Sequence, residues 1–278
     1  MNEPVAFLNG AFLPLQEAKV GILDLGVLRS YGVYEGITVI GGKPFRFEDH
    51  WQRLLKSAAA LSLTIPIERD AFEAALIEIA KRNSPDTRAT VRVVLTGGEA
   101  LGGLEHVPGR ETFFINCEPA FVLAPEVFTD GVSLITSEHQ RMMPEYKTIN
   151  YINAVMLQPK RRAANALEIL YHANGNMLEC STSNAFIVKD KVVITAKEGV
   201  LHGITRKVIL ELAAEAGYKT EERAVSMDDV WNADEVFITS SFKDVVPVIR
   251  IDDRKVGSGK PGTLTTDLIG RFRKYAGI

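Results

Sequence analysis

Apolar residues recur at three- and four-residue intervals at Phe47, Trp51, Leu54, Leu55, Ala58 and Leu61, which predicts one amphipathic helix over residues 47–63. His50, Arg53 and Ser57 line up away from that stripe, so Arg53 reads as a solvated side chain on helical geometry alone. The same periodicity predicts helices over 71–82, 154–166, 204–216 and 265–275, with Gly217 closing the 204–216 helix. Short β-branched runs predict strands at 89–95, 112–116, 132–136, 168–172, 184–188, 192–195, 235–239 and 246–251. Residues 5–15 turn back at Asn9-Gly10, and 37–40 lead into Gly41-Gly42, so both read as hairpin strands. Hairpins interleaved with helices predict an α+β architecture rather than a doubly wound parallel sheet.

A chain of 278 residues exceeds the usual size of one core. Two prolines interrupt the extended stretch 119–125, which places a small N-terminal domain at 1–118, a linker at 119–128 and a larger domain at 129–278. Pro85-Asp86 marks a turn, and 96–103 form a glycine-rich loop.

Composition narrows the function by exclusion. Hydrophobic residues make up 46% and charged residues 24%, with a formal charge of −3 and a pI near 6.0. Nothing in this balance points to nucleic acid or an anionic membrane as partner. The start lacks a basic, apolar leader and no apolar run reaches spanning length, so a cytoplasmic location is expected. Cys117 and Cys180 lack CxxC spacing and read as free thiols. His50, His106, His139, His172 and His202 are scattered without ligand spacing, and no metal is expected.

Two segments carry candidate chemistry: residues 145–151, which contain Lys147, and the run Glu179-Cys-Ser-Thr-Ser-Asn184. A lysine can hold the aldehyde of pyridoxal phosphate as a Schiff base, and a carboxylate at the pyridine nitrogen keeps that ring an electron acceptor. Taken singly, the lysine also reads as solvated and the hydroxyl run as a turn. A phosphate needs helix-start amides, hydroxyls and an arginine fork. Gly203-Ile204-Thr205 offers the amides and a hydroxyl, and Thr239-Ser240-Ser241 ends a strand with clustered hydroxyls. A plain helix start and a plain turn are the simpler readings of these two places. Gly257 to Thr263 lacks the GxxxxGK[ST] spacing and reads as a loop, not a nucleotide site.

The ordered set Arg53, Lys147, Asn150-Tyr151, Glu179 with Ser-Thr-Ser-Asn, Leu201-His-Gly-Ile-Thr-Arg206 and Phe237-Ile-Thr-Ser-Ser241 resembles the class IV, or fold type IV, pyridoxal phosphate enzymes. The likeness covers nearly the whole chain. It implies a two-domain fold type IV enzyme, with pyridoxal 5'-phosphate as cofactor and an amino acid and a 2-oxo acid as substrates of a ping-pong exchange. It also implies a homodimer, because relatives complete the site from a second subunit. Lys147 is thereby implied as the catalytic lysine and Glu179 as the partner of the ring nitrogen. Arg53, Ile204, Thr205, Ser240 and Ser241 are implied around the phosphate, Leu201 against the ring and Tyr151 at its phenolic oxygen. Ser241 stands where relatives often have threonine, and Cys180 where many have glycine.

Substrate choice is read from Arg29, Tyr34, Arg92, Thr96 and Gly97, the implied substrate-binding positions. Branched-chain enzymes of the family often carry Phe-Glu-Gly-Ile-Arg, but here Tyr34-Glu-Gly-Ile-Thr38 places a threonine last. The Arg-Gly-x-x-x-Arg-x-His loop of the best-known D-amino-acid enzymes is replaced by Thr96-Gly-Gly-Glu-Ala-Leu-Gly102. The run Leu28-Arg-Ser-Tyr-Gly-Val-Tyr34 is more similar to a less common group of D-amino-acid transaminases, in which the Arg29 position helps bind carboxylate. A second arginine found in some of that group is Thr182 here. D-amino acid transamination is therefore the preferred expectation. Branched-chain L-amino acid transamination, aminodeoxychorismate lyase activity and a non-catalytic cofactor-binding protein are the alternatives.

Overall fold

The computed structural model describes residues 3–84, 88–100, 102–118 and 122–278. The Pro85-Asp86 turn, Leu101 in the glycine-rich loop and 119–121 of the expected linker lie outside the described residues. The chain forms two compact units, one of residues 1–121 and 146–150, the other of 122–145 and 151–278. Lys147 therefore belongs to the first unit, although 122–145 of the second precede it.

The first unit runs β1 (Val5–Leu8), β2 (Ala11–Pro14), α1 (Leu25–Arg29), β3 (Gly32–Ile40), β4 (Lys43–Pro44), α2 (Phe47–Ala60), α3 (Arg69–Asn83), β5 (Ala89–Thr96) and β6 (Thr112–Glu118). Its strands form an antiparallel sheet in the order β2-β1-β6-β5-β3-β4. Asn9 and Gly10 both adopt positive φ, as a two-residue hairpin turn requires. Phe47, Trp51 and Leu54 of α2 and Phe72, Leu76 and Ile79 of α3 pack with Val33, Ile37, Val91, Val93 and Phe113 of the sheet. Because side chains alternate along a strand, Glu35 shares the helix-covered side with Val33 and Ile37, whereas Tyr34 points to the other.

The helix 47–63 differs from its expected pattern in two ways. Leu55 is exposed. Arg53, expected to be solvated on helical geometry alone, is buried together with His50 and Ser57. Glu35, arriving from β3, provides the counter-charge that makes their burial tolerable.

Asp24 organises the glycine-rich loop. Its carboxylate caps α1 at the Gly26 N–H and accepts hydrogen bonds from the Thr96 and Thr112 hydroxyls at 2.8 and 2.6 Å. The Gly98 carbonyl accepts the Leu25 N–H. Gly98 has φ +67°, and a Cβ there would stand 1.6 Å from the Arg110 carbonyl oxygen. Gly98→Ala is expected to lower unfolding free energy by about 3 kcal/mol, which a urea titration would register as an earlier midpoint.

The second unit runs α4 (Glu126–Asp130), β7 (Val132–Glu138), α5 (Ile152–Met156), α6 (Gln158–Ala163), β8 (Glu168–Ala173), β9 (Asn176–Cys180), β10 (Asn184–Lys189), β11 (Val192–Ala196), α7 (Ile204–Glu215), β12 (Lys219–Arg223), β13 (Val225–Ser226), α8 (Met227–Trp231), β14 (Glu235–Ser240), β15 (Asp244–Ile251), β16 (Arg254–Lys255) and α9 (Thr263–Ala276). The single helix expected over 154–166 is instead two short ones. Pro159 sits in the first turn of α6, where its missing N–H is harmless, whereas a continuous helix would need that donor.

The strands follow the order β12-β11-β10-β14-β15-β7-β8-β9-β13, with β16 beside β15. One further pair, Asn184 with Glu179, joins β10 to β9 and closes a ring of β10, β14, β15, β7, β8 and β9. Leu134, Leu170, Met177, Ile187, Val236 and Val246 are in its core. Phe186 and Phe237 stack at 4.7 Å across β10 and β14. No helix among the described residues is long and apolar enough to cross a membrane.

Candidate active site

In the first unit, residues 147–149 lie beside the start of β3. The Tyr34 N–H donates to the Lys147 carbonyl at 2.9 Å, the Ile149 N–H donates to that of Gly32 at 3.1 Å, and Thr148 bridges Val33. Ser57 on α2 accepts the Lys147 N–H at 3.2 Å. The lysine backbone is thus held from two elements, and its Nζ stands 4.3 Å from the centre of the Tyr34 ring.

Behind β3, Glu35 is completely buried. It receives Arg53 through Nε at 2.8 Å and Nη2 at 2.7 Å, and His50 Nδ1 lies 2.7 Å from its second oxygen. Burial pushes the Glu35 carboxyl upward, but the charge and hydrogen bonds of Arg53, then those of His50, outweigh it and bring it to about 2. For His50 burial dominates and lowers the imidazole, and because the Glu35 carboxylate can only accept, Nδ1 donates to it.

The other first-unit positions are distributed over the sheet and α1. Arg29 is exposed in the last turn of α1 and donates to the Leu28 carbonyl. Arg92 lies 5.4 Å from the Tyr34 ring centre and makes a two-point pair with Glu118. The buried Thr96 hydroxyl is committed to Asp24. At Gly97 a Cβ would meet the Tyr31 ring at 2.6 Å, which explains the glycine by close packing.

In the second unit, one end of the strand ring gathers the rest. Glu179 of β9, Asn184 of β10 and Thr239 of β14 are laterally paired. Glu179 accepts the Leu201 N–H at 3.0 Å and Arg141 Nε at 2.7 Å. Asn184 donates to the Leu201 carbonyl at 2.7 Å. Gly203, at the N-terminus of α7, packs so tightly on Asn184 that a Cβ would meet its Oδ1 at 2.1 Å. Ile204 and Thr205 open α7, which has no side-chain cap. Ser240 ends β14 and accepts the Lys243 N–H, Ser241 follows it, and Tyr151 precedes α5.

The fit to pyridoxal phosphate can be judged from these atoms. Uncapped amides at the start of α7 suit an anion. The buried Thr239 hydroxyl has no hydrogen-bond partner among the described residues and lies at the same end of the ring. Glu179 stands two strands away on β9, across Asn184 of β10, and a carboxylate suits a ring nitrogen. The start of α9 differs: the Glu235 carboxylate already accepts the Leu264 and Thr265 N–H groups, so the loop before it offers no comparable anion site.

Sequence reasoning misses three groups here. Arg141, the half-buried cationic partner of Glu179, belongs to no recognisable spacing. Glu35 stands inside the Tyr34-Glu-Gly-Ile run, where its reach to residues 15 and 18 positions later is not apparent. Glu168, fully enclosed, accepts from the hydroxyls of Ser181, Thr182 and Ser183 and pairs with Lys243 at 2.7 Å. Burial raises its carboxyl, but Lys243 and the hydroxyls leave it net lowered. The hydroxyl run itself is the available signal, since so many donors need a buried acceptor.

Residues 32–251 match the model of the family described as amino-transferase class IV. The chain is 33% identical over 276 residues to a Methanocaldococcus jannaschii protein named "Putative branched-chain-amino-acid aminotransferase", covering 96% of this chain and 94% of that one. It is also 33% identical over 264 residues to the D-alanine aminotransferase of Bacillus licheniformis, covering 94% and 93%. In structure it is similar to a T.th. branched-chain amino acid aminotransferase solved with pyridoxamine 5'-phosphate, with a TM-score of 0.90, 29% identity and coverage of 99% and 95%. Family match, relatives and fold agree: the chain belongs to the class IV aminotransferases, two-domain fold type IV enzymes that depend on pyridoxal phosphate.

Proposed function

We propose that the enzyme moves the amino group of a D-amino acid to a 2-oxo acid, using Lys147 for both half-reactions. The bound cofactor supplies an electron-accepting ring for the amino acid's Cα. Lys147, fixed through its backbone beside β3, would take the proton from Cα on its own freed Nζ and pass it to the cofactor, which would keep the amino group as the 2-oxo acid leaves. Glu179, braced by Arg141 and the Leu201 N–H, holds the ring nitrogen's proton. Arg53, Ile204, Thr205, Ser240 and Ser241 hold the phosphate, Leu201 backs the ring, and Tyr151 steadies its phenolic oxygen. Arg29, Tyr34, Arg92, Thr96 and Gly97 form the substrate-binding set. Here Thr96 acts through its backbone and its anchor to Asp24.

The donor class rests on one observation, the threonine at position 38 where the branched-chain pattern carries arginine. Thr38 is buried in β3, so no cation is supplied there. Arg29, exposed on α1, remains to meet a carboxylate. A branched-chain L-amino acid is the second reading, favoured by the likeness in fold.

The test is the cofactor's visible band, recorded while D-alanine, D-glutamate and L-leucine are added to separate samples of holoenzyme. Loss of the band with D-amino acids alone is the expected result. Loss with L-leucine alone would replace the D-amino acid reading with the branched-chain one. Release of pyruvate from aminodeoxychorismate, without amino transfer to any 2-oxo acid, would indicate a lyase.

A homodimer belongs to the same proposal. Ile22, Val27 and Leu28 near α1, and Ile152, Val155 and Met156 of α5, are exposed apolar side chains of the sort a subunit interface covers. A monomeric mass in solution would overturn it.

A further inference from the structure

On the side of the first sheet opposite α2 and α3, four residues of this unit stand in sequence: Lys147, Tyr34, Arg92 and Glu118. Strand register makes this so. Tyr34 pairs with Val94 across β3 and β5, Arg92 pairs with Asn116 across β5 and β6, and Thr90 pairs with Glu118. Alternation then brings Tyr34, Arg92 and Glu118 to one face. The Tyr34 ring lies 4.3 Å from Lys147 Nζ and 5.4 Å from Arg92 Cζ, so one ring is within reach of both cations. Beyond it, Glu118 accepts Arg92 Nε at 2.5 Å and Nη2 at 3.1 Å.

A guanidinium two contacts from a reacting amine is a ready receptor for a second carboxylate on a substrate. In this chain that fork is occupied by a carboxylate of the protein itself. We propose that Glu118 is a specificity-determining residue: by engaging Arg92, it disfavours substrates with an acidic side chain and leaves uncharged ones unaffected. The pair is about one-third exposed (35% and 34%), so water screens it and an arriving carboxylate can compete with it. Glu118 thereby sets a graded preference. This inference rests on the reading of Lys147 as the reacting lysine.

The test is equilibrium binding of glutarate and butyrate to the holoenzyme by calorimetry, for the wild type, Glu118→Gln, Arg92→Gln and the double variant. Glutarate carries the second carboxylate and butyrate does not. Glu118→Gln is expected to tighten glutarate about tenfold, with butyrate within twofold of wild type and the glutarate gain abolished in the double variant. An equal gain for both acids, no gain for glutarate, or a gain that survives Arg92→Gln would each overturn the role of Glu118. Should Glu118→Gln fold poorly, Glu118→Ala takes its place, with the same tenfold gain for glutarate expected and the same three results overturning the role of Glu118. Failure of the Lys147 reading is a separate result, seen as a cofactor band and turnover that survive loss of that lysine.

Discussion

Lys147→Ala is expected to lower amino transfer on the order of 10^4-fold and to abolish the visible cofactor band of the protein. The reason is positional as much as chemical. The lysine main chain is clasped by Tyr34 and Ser57, and Gly32 holds Ile149 just beyond it, so this amine is delivered to the Tyr34 ring from a fixed backbone. Alanine keeps every one of those backbone bonds. The variant should therefore fold normally, with an unchanged far-ultraviolet circular dichroism spectrum. Retained band and retained turnover would remove Lys147 from the mechanism. Retained fold with both lost would assign the chemistry to Nζ alone.

Glu35→Gln should have the largest effect on stability, about 4 kcal/mol, because it leaves Arg53 buried without its counter-charge. The pH dependence follows from the folded-state value. Glu35 is held at about 2 against an ordinary 4.5, so its contribution is complete above 4.5 and is lost as pH falls through about 2. Urea midpoints of wild type and variant should thus be far apart at pH 7 and converge toward pH 2. A constant gap would mean that packing, not charge, explains the loss. Weaker cofactor retention should accompany it, since Arg53 would no longer be oriented.

Much of the architecture was legible because its signals are local. The Asn9-Gly10 turn, the periodic stripes of α2 and α3 and the apolar strands β10 and β14 each announce themselves within a dozen residues. Short elements did not. The helix α1 and the strands β9 and β12 have no sustained period, and distant partners help to fix them: Gly98 for α1, β13 for β9 and β11 for β12. The polar side of α2 shows the same limit at the level of chemistry. Arg53 looks solvated until β3 brings Glu35 against it and His50. Arg141 and Glu168 stayed hidden for that reason too, since a buried pair is defined by its partner and not by its own neighbours in sequence.

The chain's order of synthesis meets a constraint in the split first unit. Residues 1–121 emerge first, yet the stretch 146–150 that flanks β3 belongs with them and is made only after 122–145. At a typical translation speed the wait from residue 118 to residue 150 is roughly two to six seconds. During that interval the Tyr34 N–H and the Gly32 carbonyl have no partner from 147–149, and the nascent sheet presents an open edge. A ribosome-bound fragment stalled before Lys147 should consequently be more vulnerable to protease and to aggregation than one released a few residues beyond it. Lys147, the proposed reactive lysine, thus lies in the segment that also seals the first unit.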